Sequence, residues 1–150
     1  MKKIDINEAP GGEGTRYPAP YNIPCKDRRW KKLGDAAELT QFGVNLVTLA
    51  PGVWSSQRHW HSHEDEFVWM VEGELVLVTD SGEEIMRPGD CAGFKAGVRD
   101  GHCLQNRSAK AARFLVVGSR NEEDWGEYSD IDMKFLPGRG GYVRKNGDKI

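Results

Sequence analysis

Seven short runs of strand-forming residues between positions 42 and 118, each ended by a turn, constrain this chain more than any other feature. Phe42 to Ala50 stops at Pro51-Gly52, Phe67 to Val71 at Glu72-Gly73, and Glu74 to Thr79 at Asp80-Ser81-Gly82. Glu83 to Arg87 runs into Pro88-Gly89-Asp90. Shorter segments follow at Cys91 to Phe94 and His102 to Asn106, and Ala112 to Gly118 closes the series. β-Branched and aromatic residues favour extended backbone, and Gly and Pro at this spacing belong in turns. Short, closely spaced strands bury their apolar faces only against one another, which predicts an all-β sandwich or barrel. No long segment carries a helical period; a turn or two of helix fits near Asp35 to Leu39 or near Asn121 to Trp125.

The flanks read differently. Pro10-Gly11-Gly12, Pro18-Ala19-Pro20 and Ile23-Pro24-Cys25 break any periodicity, so residues 1–40 are expected to form an irregular N-terminal arm. Residues 41–120 form the barrel, and the polar, Gly-rich residues 121–150 form a C-terminal tail lying on it or on a neighbouring subunit. A length of 150 residues is that of one ordinary domain. With 21 basic against 23 acidic residues and a net charge of −2, nothing argues for nucleic acid or an anionic membrane as partner. The basic stretch Lys26 to Lys32 reads as a solvated arm with Trp30 packed onto the domain. No apolar run reaches the ~18 to 20 residues that cross a bilayer, and no apolar segment follows Lys2-Lys3 as in a secretory leader. Three cysteines, Cys25, Cys91 and Cys103, without C-x-x-C spacing read as reduced thiols in a cytoplasmic protein.

The chain has four histidines, and three of them alternate in His59-Trp60-His61-Ser62-His63. Alternate residues of an extended segment share a face, so these imidazoles can converge without a helix. Glu66 opens the next apolar run after the turn Glu64-Asp65, and its carboxylate can return to the same spot; His102 comes from far along the chain. Imidazoles with a carboxylate suit Zn, Fe, Mn, Ni or Cu better than Mg or Ca.

The spacing resembles a known family. Gly52, His59, His61, Glu66 and Gly73 are similar to the first motif of the cupins, with four residues between His61 and Glu66 and six between Glu66 and Gly73. Gly89, five residues, Lys95-Ala96-Gly97, then His102, three residues and Asn106 resemble the second. Two departures stand out: Gly52 precedes His59 by six intervening residues instead of five, and Lys95 takes a proline position, with four residues instead of two between Gly97 and His102. The resemblance covers residues 42 to 118, and runs such as Arg58 to His61 and Arg87 to Phe94 look like a group of small bacterial cupins, some bearing a sugar-phosphate isomerase label. It implies a double-stranded β-helix, or jelly-roll barrel, holding one divalent transition metal, Fe, Mn, Ni or Zn, through His59, His61, Glu66 and His102. It also implies a homodimer, with N-terminal segments crossing between barrels.

His63 is set at the barrel rim, beside the metal, since pairing it with His61 leaves too short a step to Glu66. Strand parity with Glu66 turns Val68 and Met70 inward, and parity with His102 does the same for Leu104 and Asn106 while Cys103 and Gln105 face away. That lining is apolar with few polar handles; Arg58 and Arg99 are the cations nearest to it in sequence. The reading that results is a metal-dependent enzyme on a small-molecule substrate, either an isomerase using the metal as Lewis acid or an iron-dependent dioxygenase. The alternative is a non-catalytic cupin module that binds metal or a small molecule.

Overall fold

A computed structural model describes residues 3–150; the first two residues of the expected arm, and so the start of the segment examined for a leader, lie outside the described residues. The described residues form twelve strands: β1 (Gly11–Glu13), β2 (Arg29–Lys32), β3 (Phe42–Leu49), β4 (Glu66–Glu72), β5 (Leu75–Thr79), β6 (Gly82–Met86), β7 (Cys91–Phe94), β8 (Cys103–Gln105), β9 (Ala112–Ser119), β10 (Gly126–Glu127), β11 (Lys134–Phe135) and β12 (Tyr142–Val143). One helical turn, α1 (Leu33–Ala36), sits between β2 and β3. Each of the seven expected runs is a strand, from β3 to β9, and Asn121 to Trp125 is a turn, not a helix. Among the described residues no helix is long and apolar enough to cross a membrane.

Two sheets form facing layers, and β10-β11-β12 pair as a third, three-stranded sheet in the tail. A six-stranded sheet has the order β1-β2-β3-β9-β4-β7, and a smaller one the order β6-β5-β8. All the pairings are antiparallel, and the long central pair β3 and β9 runs in register from Phe42 opposite Ser119 to Leu49 opposite Ala112. Between the layers lie Leu49, Val68, Met70, Leu75, Leu77, Leu104 and Phe114, all buried. Each such side chain contributes about 1.5–3 kcal/mol through burial. β4 displays the alternation behind this: Val68 and Met70 point inward, while Phe67, Trp69 and Val71 are exposed. This is the double-stranded β-helix that the motif spacing leads one to expect.

The flanks complete the barrel. The arm is largely irregular, but β1 and β2 extend the large sheet through β3, and Trp30 packs against the core. The segment from Gly52 to His59 runs beside β8, with Ser55 N–H donating to the Leu104 carbonyl and His59 and His102 exchanging both backbone hydrogen bonds. Beyond it the tail pairs in turn: Trp60 N–H donates to Glu127, Ser62 N–H to Trp125, and Ser129 N–H to Arg58. Gly126 is required there, because a Cβ at this position would run into the Trp60 carbonyl. The tail is therefore built against the segment that carries the histidines.

Candidate metal centre

Backbone pairing fixes the convergence of the four expected side chains. His59 and His61 lie two apart on the extended segment, His102 is bridged to His59, and Glu66 opens β4 opposite Phe94. His59 Nε2 and His61 Nε2 are 3.1 Å apart, and Glu66 Oε2 stands 3.6 Å from both His61 Nε2 and His102 Nε2. Ligand atoms of His59, His61 and Glu66 all lie within 4.8 Å of one another. His102 is 4% exposed and stacks flat on Phe94, with ring centroids 3.6 Å apart and planes at 2°.

The proton positions follow from the acceptors. His59 Nδ1 faces the Gln57 carbonyl at 2.9 Å and His61 Nδ1 faces Asp124 Oδ2 at 2.7 Å, so each Nδ1 carries the proton. With both rings neutral the Nε2 lone pairs point at each other, an arrangement relieved by a cation between them or by a proton on His61. With metal–nitrogen bonds of about 2.0–2.1 Å, two adjacent donors on one ion lie about 3 Å apart, close to the 3.1 Å observed. Both ring nitrogens of His102 are buried without a hydrogen-bond partner, which is costly unless a ligand fills the need. The donor set and the orphaned imidazole fit a transition metal.

Electrostatics agree. Burial and the charges of His61 and His102 hold the His59 pKa down to about 3, so that ring is neutral and available as a donor. Burial opposes ionisation of Glu66, yet His102, His59 and His61 together lower it to about 2. Burial also opposes charge on His61, but the hydrogen bond to Asp124 and the charges of Glu66, Asp124 and Glu64 outweigh it and raise its pKa.

Asp124 is the residue that sequence reasoning missed. It is 7% exposed and accepts from the His63 and Glu64 amides at 2.8 and 3.2 Å as well as from His61. It also forms a second cluster with His61 and Glu64. No local signal marks it, since only the tail's long-range pairing brings it here.

The remaining expected residues lie as follows. His63 is exposed at the rim, its Nδ1 2.7 Å from the Ser62 hydroxyl. Leu104 lines the inner cavity with His102, whereas Met70 is buried in the apolar core. Asn106 is buried and structural, its Nδ2 donating to the Leu49 and Lys110 carbonyls. Arg58 is tied to Asp130, Asp80 and the Gly101 carbonyl, and Arg99 lies over Trp60. Cys103 and Gln105, expected to face away from the barrel, are buried as well, because the arm and the 52–59 segment cover that side of β8.

Two cavities meet at His59. The outer, of about 790 Å³, is walled by His61, Glu64, Asp124, Tyr128 and Phe135. The inner, of about 610 Å³, is walled by Glu66, Val68, Phe94, His102 and Phe114. The barrel lining is apolar as expected, but the arm and tail add polar groups, among them Arg16, Tyr17, Arg28 and Tyr142.

Comparisons with known proteins agree with this architecture. The family model described as Cupin domain matches residues 45–118. The solved structure of a sugar phosphate isomerase from a cupin superfamily, from Silicibacter pomeroyi, is 46% identical; the match covers 99% of this chain and 96% of that one, with a TM-score of 0.94. A candidate sugar phosphate isomerase from Acidithiobacillus ferrooxidans is 27% identical over 83% of this chain and 80% of that one, with a TM-score of 0.75. The polyketide cyclase RemF from Streptomyces resistomycificus, 24% identical over 79% of each chain with a TM-score of 0.65, shares the fold. No curated protein matches the chain.

Proposed function

The chain belongs to the cupin superfamily, and from that premise we propose that it is a metal-dependent isomerase of small phosphorylated sugars, with His59, His61, Glu66 and His102 as the metal ligands. The observation that carries the reading is the donor set itself: His59, His61 and Glu66 clustered, with His102 Nε2 3.6 Å from Glu66 and both nitrogens of His102 buried and unpartnered. The sugar phosphate assignment of the Silicibacter pomeroyi relative supports the substrate class.

A bound divalent ion supplies Lewis acidity toward a substrate carbonyl oxygen. The chain does the rest. Gln57 and Asp124 hold the tautomers and planes of His59 and His61. Phe94, Val68 and Phe114 make the barrel side of the inner cavity apolar, and Phe135, 5.1 Å from His61, shields the outer side. Glu64 stands in the outer wall with its Oε1 accepting from the Asn121 amide, and it is the carboxylate suited to move a proton. Burial pushes the hydroxyl pKa values of Tyr17 and Tyr128 far up, so they act as hydrogen-bond donors and not as bases.

The test is elemental analysis of untagged protein, with turnover of aldose and ketose phosphates. One ion per chain, lost in His61→Ala, together with interconversion of the two sugars, is the expected result; no metal after reconstitution overturns the ligand assignment. Two histidines and a carboxylate are also the donors of iron oxygenases, so iron with oxygen consumption favours a dioxygenase. Metal without any turnover favours a binding module. A homodimer is part of the proposal, with exposed Phe67, Trp69 and Val71 as the apolar surface that a second copy would cover; sedimentation at twice the chain mass supports it. The three free cysteines support a reducing, cytoplasmic setting.

A further inference from the structure

Eleven arginines are distributed very unequally between paired and unpaired states. Seven of them, Arg29, Arg58, Arg87, Arg107, Arg113, Arg120 and Arg144, each hold a carboxylate. Arg99 lies over the Trp60 ring. The other three, Arg16, Arg28 and Arg139, have no carboxylate partner among the described residues, and all three wall the inner cavity that also holds Glu66 and His102.

Two of them are placed in a way that local structure does not account for. Arg28 lies over Trp30 and donates from Nη1 to the Ser55 carbonyl, yet its Nε is buried with no partner. A buried guanidinium N–H left unmatched costs free energy that a bound anion would recover. Arg139 adopts φ of 58°, a left-handed conformation unfavourable for a non-glycine residue, and it lines both the inner and the outer cavity. Arg16 lines both cavities too. Of the two carboxylates in the wall, Glu13 is taken by Arg29 at 3.0 Å and Glu66 faces His61 and His102.

We infer that Arg16, Arg28 and Arg139 form a binding subsite for a phosphate monoester in the wall of the inner cavity that also holds His59, Glu66 and His102. Three guanidinium groups match a dianion with several acceptor oxygens better than a monovalent carboxylate. The cavity's volume of about 610 Å³ lies in the range of small-molecule sites. A substrate held by its phosphate would be aimed with its far end at the donor cluster. Only this orientation rests on the metal reading of the preceding subsection; the anion subsite stands on the arginines alone. Because Arg16 and Arg28 come from the arm and Arg139 from the tail, the specificity of the barrel resides in segments outside it.

The experiment is calorimetric titration with inorganic phosphate, on protein as purified and after stripping with EDTA, with elemental analysis of every sample. Phosphate is expected to bind in both states. Arg16→Ala and Arg139→Ala should each weaken it about tenfold or more, with metal content and melting temperature unchanged. Arg28→Lys, which keeps charge but removes the Nε–H, should weaken it similarly, while Arg87→Ala, at a carboxylate-paired surface position, should leave it unchanged. The subsite is overturned if phosphate binding disappears with the metal, is unaffected by Arg16→Ala and Arg139→Ala, or is matched by acetate. Phosphate binding in protein that takes up no metal would instead overturn the metal assignment and leave this subsite standing.

Discussion

At the scale of single residues, the site is a contrast between side chains the sequence announces and side chains it conceals. His59 and His61 are legible because alternation in an extended segment puts them on one face, and Glu66 and His102 because their spacing matches motifs. Asp124, Arg16 and Arg139 are not legible, since they lie in irregular segments where no period tells which way a side chain turns. Asp124→Asn tests the concealed half. The amide oxygen still accepts from the His63 and Glu64 N–H groups, so the fold should persist, but the hold on His61 weakens. Metal affinity is expected to fall about 10- to 100-fold, read by titration against a chromophoric chelator. Glu64→Gln separates ligation from proton transfer. If Glu64 moves the proton, the variant keeps its metal and loses at least about 100-fold in turnover; loss of metal instead would assign Glu64 to the ligand set with His61 and Asp124.

At the scale of elements, β3 to β7 and β9 were readable because each carries an apolar pattern long enough to repeat, whereas β2, also four residues, was not, because Arg29-Trp30-Lys31-Lys32 is basic rather than apolar. β1 and β10 to β12 have two or three residues each, too few for a period, and exist only because a neighbour supplies the pairing. The tail is held by such pairing and by Arg58, whose Nε and Nη2 donate to Asp130 at 3.0 and 2.7 Å. Arg58 and its hydrogen bonds hold the Asp130 carboxyl below its ordinary range. A carboxylate lowered in the folded state stabilises above its unfolded pKa of about 3.9, and that contribution is lost as pH falls through the folded value. The protection of the Trp60, Ser62 and Ser129 amides against hydrogen exchange, relative to their intrinsic rates, should therefore fall below about pH 4. In Arg58→Ala it should be lower already at pH 7. Both carboxylate partners of Arg58 are more than half exposed, so the expected loss is about 1–2 kcal/mol, measurable by urea unfolding. Unchanged exchange in Arg58→Ala would mean that the backbone pairing and the edge-on contact of Trp60 with Trp125 hold the tail by themselves.

At the scale of the whole molecule, the donors come from separate segments, His102 far in sequence from the other three. His59 and His61 sit beside the tail, Glu66 on the large sheet, and His102 on the approach to the small one. An ion binding all four would tie the two layers to each other and, through Asp124, to the tail. The unfolded chain cannot assemble this set, so binding stabilises the native state by linkage, about 2.7 kcal/mol at a free metal concentration 100 times Kd. For a chain of 150 residues, each kcal/mol moves Tm by about 2–4 °C, giving an expected rise of roughly 5–10 °C on loading and its reversal by EDTA. The scale of the response also distinguishes the two clusters. If the ion sits among His59, His61, Glu66 and His102, His102→Ala abolishes the rise, because the link between layers is cut. If it sits instead among His61, Glu64 and Asp124, the His102→Ala variant still gains stability from metal, and the gain appears as tail protection in hydrogen exchange, without added protection in the small sheet.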